Sequence, residues 1–397
     1  MGLQFDVRDY EAQFAEGRRL YDVVARLEQP ERVPVRISVG GSFFAKLFGC
    51  NLRDYYTNLD LRVEVQVRGL KWVLEYLRDD RTGVALTVDP GPVQEALYWG
   101  LPIEYADDTS PWIVPQLHTP EDIERLEVPD PEECEGVRWV YGLYEEMRAK
   151  VAKMGLNVPV SGGLSIHPPL SAACALMPAD EVYAYMAEEP TLIHRFFAKL
   201  LAGWLKLREY QDRYFGKRTE DVSLADDHSA FISNAMYRRM LLPYNLTIYE
   251  RYGKRGRHLH ADGPNDHHFQ MYATVHRLTS MDIGGFSDIA NAKPSLFGHT
   301  LISGGVNCRD LYYDFATAKP AVDRALRLGA PGGGYVFAVG GETYAGVNPD
   351  TLVQVVSYVK RAGRYPLDLK ALGADEETRR VLAAIGLRET RQVADAD

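Results

Sequence analysis

Two stretches carry residue types that could do chemistry: His258-Leu-His260-Ala-Asp262-Gly263 and Asp226-Asp227-His228. Alternate residues of a strand share a face, so His258, His260 and Asp262 point the same way. An imidazole and a carboxylate on one face suit zinc or another divalent ion. The candidates for a further ligand are Glu342, Asp227, His228 and Cys308. Two other readings stay open. The set could do acid–base work without a metal, or one histidine could be satisfied in the core while Asp262 caps the next helix. The pair Asp226-Asp227 can share a proton or hold a cation, because like charges oppose joint ionisation. Its plainer reading is one helix cap and one solvated acid. Asn265-Asp266-His267-His268 reads as a helix start, with Asp266 at the positive end of the dipole.

Stepping along the chain, short apolar runs alternate with amphipathic stretches. The strand candidates are 33–40, 83–89, 158–163, 221–227, 256–263, 278–286, 299–306 and 334–340. Helical spacing falls between them, at 58–77, 138–154, 180–188, from 191, 235–252, 266–277, 288–296, 317–328 and 351–363. Continuous apolar runs suit a parallel sheet covered on both faces. Eight such units predict an α/β chain folded as a (β/α)8 TIM barrel, with an N-terminal helical extension and an insertion after strand 2, the Pro-rich stretch 98–133. The expected organisation is an N-terminal helical arm over 1–30, the barrel over 31–366 and a surface tail over 367–397. In a barrel the chemistry gathers at the carboxyl ends of the strands. Those ends carry Arg36, Asp89, Ser161-Gly162-Gly163, Asp226-Asp227-His228, His260, Asp262, Asp282, Asn307 and Glu342. Arg36 and the 226–228 triplet are catalytic candidates. Ser161, Gly162, Gly163, Asp89 and Asn307 are substrate-binding candidates. The glycines at 162 and 163 let backbone approach a ligand. Pro331-Gly-Gly-Gly334 sits at the amino end of the last strand and reads as a tight turn.

The 397 residues are 46% hydrophobic and 25% charged, with a net charge of −10. That balance argues against a surface for nucleic acid, which needs excess positive charge. No apolar run reaches the roughly 18 residues that span a bilayer. The four cysteines are scattered, with no Cys-x-x-Cys pair, and the start of the chain is polar and acidic. A cytoplasmic protein acting on a small molecule is expected, and a homodimer is left open. There is no Gly-x-Gly-x-x-Gly after the first strand, no Walker loop and no Gly-x-Ser-x-Gly elbow.

In the order of its pieces the chain resembles the uroporphyrinogen decarboxylase superfamily. The likeness is carried by Pro30-Glu-Arg-Val-Pro-Val35, Pro159-Val-Ser-Gly-Gly163, Ala225-Asp-Asp227 with Met236-Tyr-Arg-Arg-Met-Leu-Leu-Pro-Tyr244, His260-Ala-Asp-Gly263, and Gly332-Gly-Gly-Tyr335 through Asn348-Pro349. The resemblance implies a (β/α)8 barrel and one of two chemistries. The first is methyl transfer at zinc or a related metal, with a corrinoid protein as methyl partner. There His260 matches the family's metal-binding histidine. Asp262 replaces its first cysteine, and the Gly341–Glu342 region falls where the second is expected. The metal set is then His260, Asp262 and Glu342, a harder site than one built on thiolates. The reaction implied is an O- or N-demethylation. Cobalamin would come on a partner protein, because the chain has no Asp-x-His-x-x-Gly element. The alternative is a metal-free decarboxylase or lyase acting on a tetrapyrrole or small aromatic acid. Asp226 or Asp227 would then stabilise a cationic intermediate and Arg36 would hold a carboxylate. The stretch Arg36-Ile-Ser-Val-Gly-Gly-Ser42 has one arginine where the decarboxylases carry two, and no histidine follows His299.

Overall fold

The structure is a computed structural model that describes residues 3–340, 343 and 346–388. It is an α/β fold in which helices alternate with parallel strands. The chain divides into two compact units. The first holds Met1–Phe5, Phe48–Val67 and Ala85–Arg257, and the second holds Asp6–Leu47, Arg68–Val84 and His258–Asp397.

The strands in chain order are β1 Leu86–Thr87, β2 Ile103–Glu104, β3 Trp112–Ile113, β4 Val160–Ser161, β5 Asp221–Ala225, β6 Gly256–His260, β7 Ser280–Asp282, β8 Leu301–Asn307 and β9 Tyr335–Gly340. In the first unit β1 pairs with β4 in parallel, Thr87 opposite Ser161. Arg62, 1% exposed, fixes the end of β1. Its guanidinium donates to the carbonyls of Tyr55, Tyr56 and Val88. The stretch 98–133, too short in its elements to show a period, contains the antiparallel pair β2–β3 and the helix Pro120–Arg125 with its Thr119–Asp122 capping box.

The second unit is built on a parallel sheet in the order β6–β7–β8–β9. Its core strand β9 buries Tyr335, Val336, Phe337 and Val339 in succession, as a doubly covered parallel strand should. Each such side chain contributes roughly 1.5–3 kcal/mol through burial. Among the described residues, the expected strand at 33–40 joins β9 through a single bridge, Val35 to Phe337, and a second bridge ties Val39 to Thr343 beyond that strand. The reason is local. On its other edge Val35 N donates to Asp80 Oδ2 at 2.8 Å and Ile37 N to Asp79 Oδ2 at 3.0 Å, so carboxylates replace a backbone ladder.

Helices pack on this sheet by apolar spacing. Asn348 caps Pro349–Ala362, which buries Leu352, Val355, Val356 and Val359. Asp314 caps Phe315–Gly329, which buries Ala318, Val322, Ala325 and Leu326. The helix expected over 58–77 runs as an α-helix, Leu59–Trp72, and closes in a wider π turn, Val73–Leu77, that ends at left-handed Arg78. A helix, Glu11–Val24, lies near the start of the chain and another, Glu376–Ala384, late in it. No helix among the described residues is long and apolar enough to cross a membrane.

Candidate functional site

Each unit places one cluster of titratable side chains at the carboxyl ends of its strands. In the second unit β6 and β7 run in parallel with His260 opposite Asp282. The register brings His260 Nδ1 to 3.0 Å from Asp282 Oδ2. His260 Nε2 then lies 3.5 Å from Asp262 Oδ2. Burial works against charge on this imidazole. The hydrogen bonds and charges of Asp262 and Asp282 outweigh it and lift the group to about 11. Gly284 passes tightly beneath: a Cβ there would stand 2.8 Å from Asp262 Oδ1. Gly340 at the end of β9 lies closer still to the same loop, its ideal Cβ position 2.0 Å from Gly285 N.

His258 takes the plainer of its two readings, with Nδ1 at 2.6 Å from Ser280 Oγ. Asn307 spends its amide on structure. It accepts from Arg309 N at 3.0 Å and donates to the Gly285 carbonyl at 3.1 Å. Cys308 is buried just beyond, and burial raises its thiol above the ordinary range. Arg36 lies 3.5 Å from Asp79, beside the pair Arg81–Asp79 at 2.8 Å. Glu342 and Gly341 lie outside the described residues. Asp266 and His267 begin the short 3-10 turn Asp266–His268, as the helix-start reading expects.

In the first unit Asp226 directly follows β5 and is fully buried. Ser171 Oγ donates to its Oδ1 at 3.1 Å and Asn245 Nδ2 to its Oδ2 at 3.0 Å. Burial pushes this carboxyl up to about 6, against the pull of those two donors. Asp227 opens the turn Asp227–Phe231. His228 follows, its Nδ1 3.0 Å from Tyr183 OH, and burial lowers it below the ordinary imidazole range. Asp89 lies at the end of β1 with φ +44°, a left-handed conformation that costs a non-glycine residue energy. Its Oδ2 accepts from Tyr55 OH at 2.6 Å. Ser161 ends β4. Gly162 is small because Tyr144 is there: a Cβ would stand 2.4 Å from its ring. Gly163 has φ +110°.

The sequence reading missed one pair in this unit. Glu95, 1% exposed, places Oε1 2.7 Å from His167 Nδ1 and also accepts from the His167 backbone N–H at 2.6 Å. The two residues are 72 apart in sequence, so no spacing rule exposes them. The one local signal is Pro168-Pro169 after the histidine, which restricts its backbone to the extended region.

A family model described as uroporphyrinogen decarboxylase (URO-D) matches residues 18–362. The chain belongs to the uroporphyrinogen decarboxylase family. Among solved structures, a methyltransferase from Methanosarcina mazei is similar at a TM-score of 0.64 and 17% identity, over 87% of this chain and 98% of that one. At that identity the likeness is one of fold. No curated protein matches the chain. Family membership accounts for the order of the motifs from Pro30 to Pro349.

Proposed function

We propose that this member of the family is a metal-dependent methyltransferase on a (β/α)8 barrel, demethylating a small O- or N-methyl donor and passing the methyl group to a corrinoid carried by a partner protein. One observation carries the reading: the bond from His260 Nδ1 to Asp282. A ligating histidine almost always donates its other ring N–H to a carboxylate, which fixes the tautomer and aims the remaining nitrogen. Here that nitrogen is Nε2, and its neighbour is the Asp262 carboxylate at 3.5 Å. An imidazole and a carboxylate oxygen that close fit a shared divalent ion, and the oxygen-rich set favours a harder ion than a thiolate site would. His260 and Asp262 would hold the ion and Asp282 would orient His260. Glu342 remains the proposed third ligand.

A divalent ion bound there supplies Lewis acidity toward the methyl-bearing heteroatom. Asp226, buried and lifted to about 6, is able to hold or release a proton near neutral pH. Asp89, fixed by Tyr55, presents a carboxylate in a strained backbone. The fold likeness to a methyltransferase supports the same reading.

The second reading, metal-free decarboxylation, draws on the same buried Asp226 but needs arginines free for an acidic substrate. Arg36 has Asp79 as a neighbour instead.

The test is elemental analysis of protein purified without added metal, on wild type and His260→Ala, combined with methyl transfer to cob(I)alamin from guaiacol, methanol, trimethylamine or glycine betaine. A stoichiometric divalent metal in wild type only, with methylcobalamin formed from one donor, is expected. A metal-free wild type that releases carbon dioxide from an aryl acid or porphyrinogen would reject the reading in favour of the second.

A further inference from the structure

The pair Glu95–His167 is held with more care than a surface ion pair needs. The segment Leu164–His167 is pinned by four side chains from two helices. Gln94 accepts from Ser165 N–H and Glu95 from His167 N–H, both from the first turn of Gln94–Trp99. Trp204 donates to the Ile166 carbonyl at 3.2 Å, and Gln211 donates to that of Leu164, both from Pro190–Tyr214. Pro168 and Pro169 then stiffen the exit into Pro169–Leu176. A buried carboxylate such as Glu95 is costly unless paired. Burial opposes the charge on both partners, but their mutual attraction and hydrogen bond win, so Glu95 is held below the usual carboxylate range and His167 above the usual imidazole range. The other charged groups that face His167 are Asp226 and Asp227, which also favour its protonated form, and His228, which faces it across the same carboxyl ends.

With Nδ1 committed to Glu95, the proton the pair can give away is on Nε2. That atom makes no hydrogen bond among the described residues, and the His167 side chain is 34% exposed. The pairing with Glu95 favours the protonated ring, fixes its orientation and leaves one edge open.

We propose that His167 is a general acid that protonates the leaving oxygen of an O-methyl donor, with Glu95 as its positioning residue. This rests on the methyl-transfer reading and narrows its donor class to methyl ethers and alcohols. The C–O bond breaks with its electron pair going to oxygen. A reduced corrinoid supplies the electron pair for the new bond to the methyl carbon. The oxygen takes the Nε2 proton, and the neutral imidazole regains one from water. An amine leaving from a quaternary ammonium donor needs no such proton, and the charged ring would repel that cationic donor.

The experiment uses methyl transfer to cob(I)alamin from anisole, guaiacol and 4-nitroanisole, by wild type, His167→Gln, Glu95→Gln and Glu95→Asp. The imidazole signal of His167 is followed in parallel by NMR titration. General acid catalysis contributes on the order of 10²–10⁴-fold. His167→Gln should lose at least about 100-fold on anisole and far less on 4-nitroanisole, whose nitrophenolate leaves without a proton. Glu95→Gln should move the alkaline limb of the pH–rate profile and the His167 titration to lower pH together, with Glu95→Asp partly restoring both. Equal losses across the three ethers, or a pH limb that stays in place in Glu95→Gln, would overturn the assignment while leaving methyl transfer intact. A wild type inert toward every donor would instead defeat the methyl-transfer reading, and the acid role with it.

Discussion

Asn245 Nδ2 donates to Asp226 Oδ2 at 3.0 Å, and this neutral donor, with Ser171 and the attraction of His167, opposes the desolvation of the buried carboxylate. Together they do not offset full burial and the neighbouring charge of Asp227, so the carboxyl stays up at about 6. The folded value lies above the unfolded one of 3.8, so the associated stability is present below pH 3.8 and lost as pH rises through 6. Asp226→Asn should therefore gain on wild type between pH 4 and pH 7, by up to roughly 3 kcal/mol. Urea denaturation of both proteins at three pH values measures it. A difference independent of pH would contradict the assignment.

Asp282 touches the proposed ion only through His260. Asp282→Asn should weaken metal affinity about 10–100-fold without abolishing binding, whereas His260→Ala should remove it. Competition with a chromophoric chelator gives both constants.

Two glycines should respond in opposite directions. A methyl at 340 collides with Gly285 N, so Gly340→Ala should destabilise by about 1–3 kcal/mol and disturb the loop beside Asp282. Gly142, inside the helix Glu135–Lys153, has nothing within 4 Å of its Cβ position. Gly142→Ala should stabilise by roughly 0.5–1 kcal/mol. Thermal melts of the two variants decide it.

Lys293 is buried in the helix Ile289–Leu296, with Nζ 2.6 Å from the Gly333 carbonyl and 5.1 Å from the Phe297 ring centre. Burial brings it down to about 7. Its folded value is below the unfolded 10.5, so stability is present above pH 10.5 and falls as pH drops toward 7. Lys293→Met should lack that slope, and its stability relative to wild type should rise as pH is lowered from 10 to 7. Denaturation midpoints across that range are the measurement.

Part of the candidate site is legible in the sequence. His260 and Asp262, two apart in sequence, are expected on one face and lie 3.5 Å apart, because side-chain alternation is a local property. Asp282 received no role, because its meeting with His260 depends on the β6–β7 register, which no single segment encodes. Glu95 and His167 were invisible for the same reason, at greater separation. The strand at 33–40 was legible from its valines, but its bridged pairing was not, since Asp79 and Asp80 lie beyond an intervening helix. Asp226 stands out as half of a pair, yet its full burial beside Ser171 and Asn245 depends on remote residues that only packing supplies.

The pinning of Leu164–His167 by Gln94, Glu95, Trp204 and Gln211 has one more consequence. A donor arriving at this imidazole would find it already aligned, so little entropy would be lost on association there. The same rigidity makes the histidine hard to retune. Drift toward methyl donors with other leaving atoms would have to pass through the scaffold at 94, 95, 204 and 211, rather than through the loop alone.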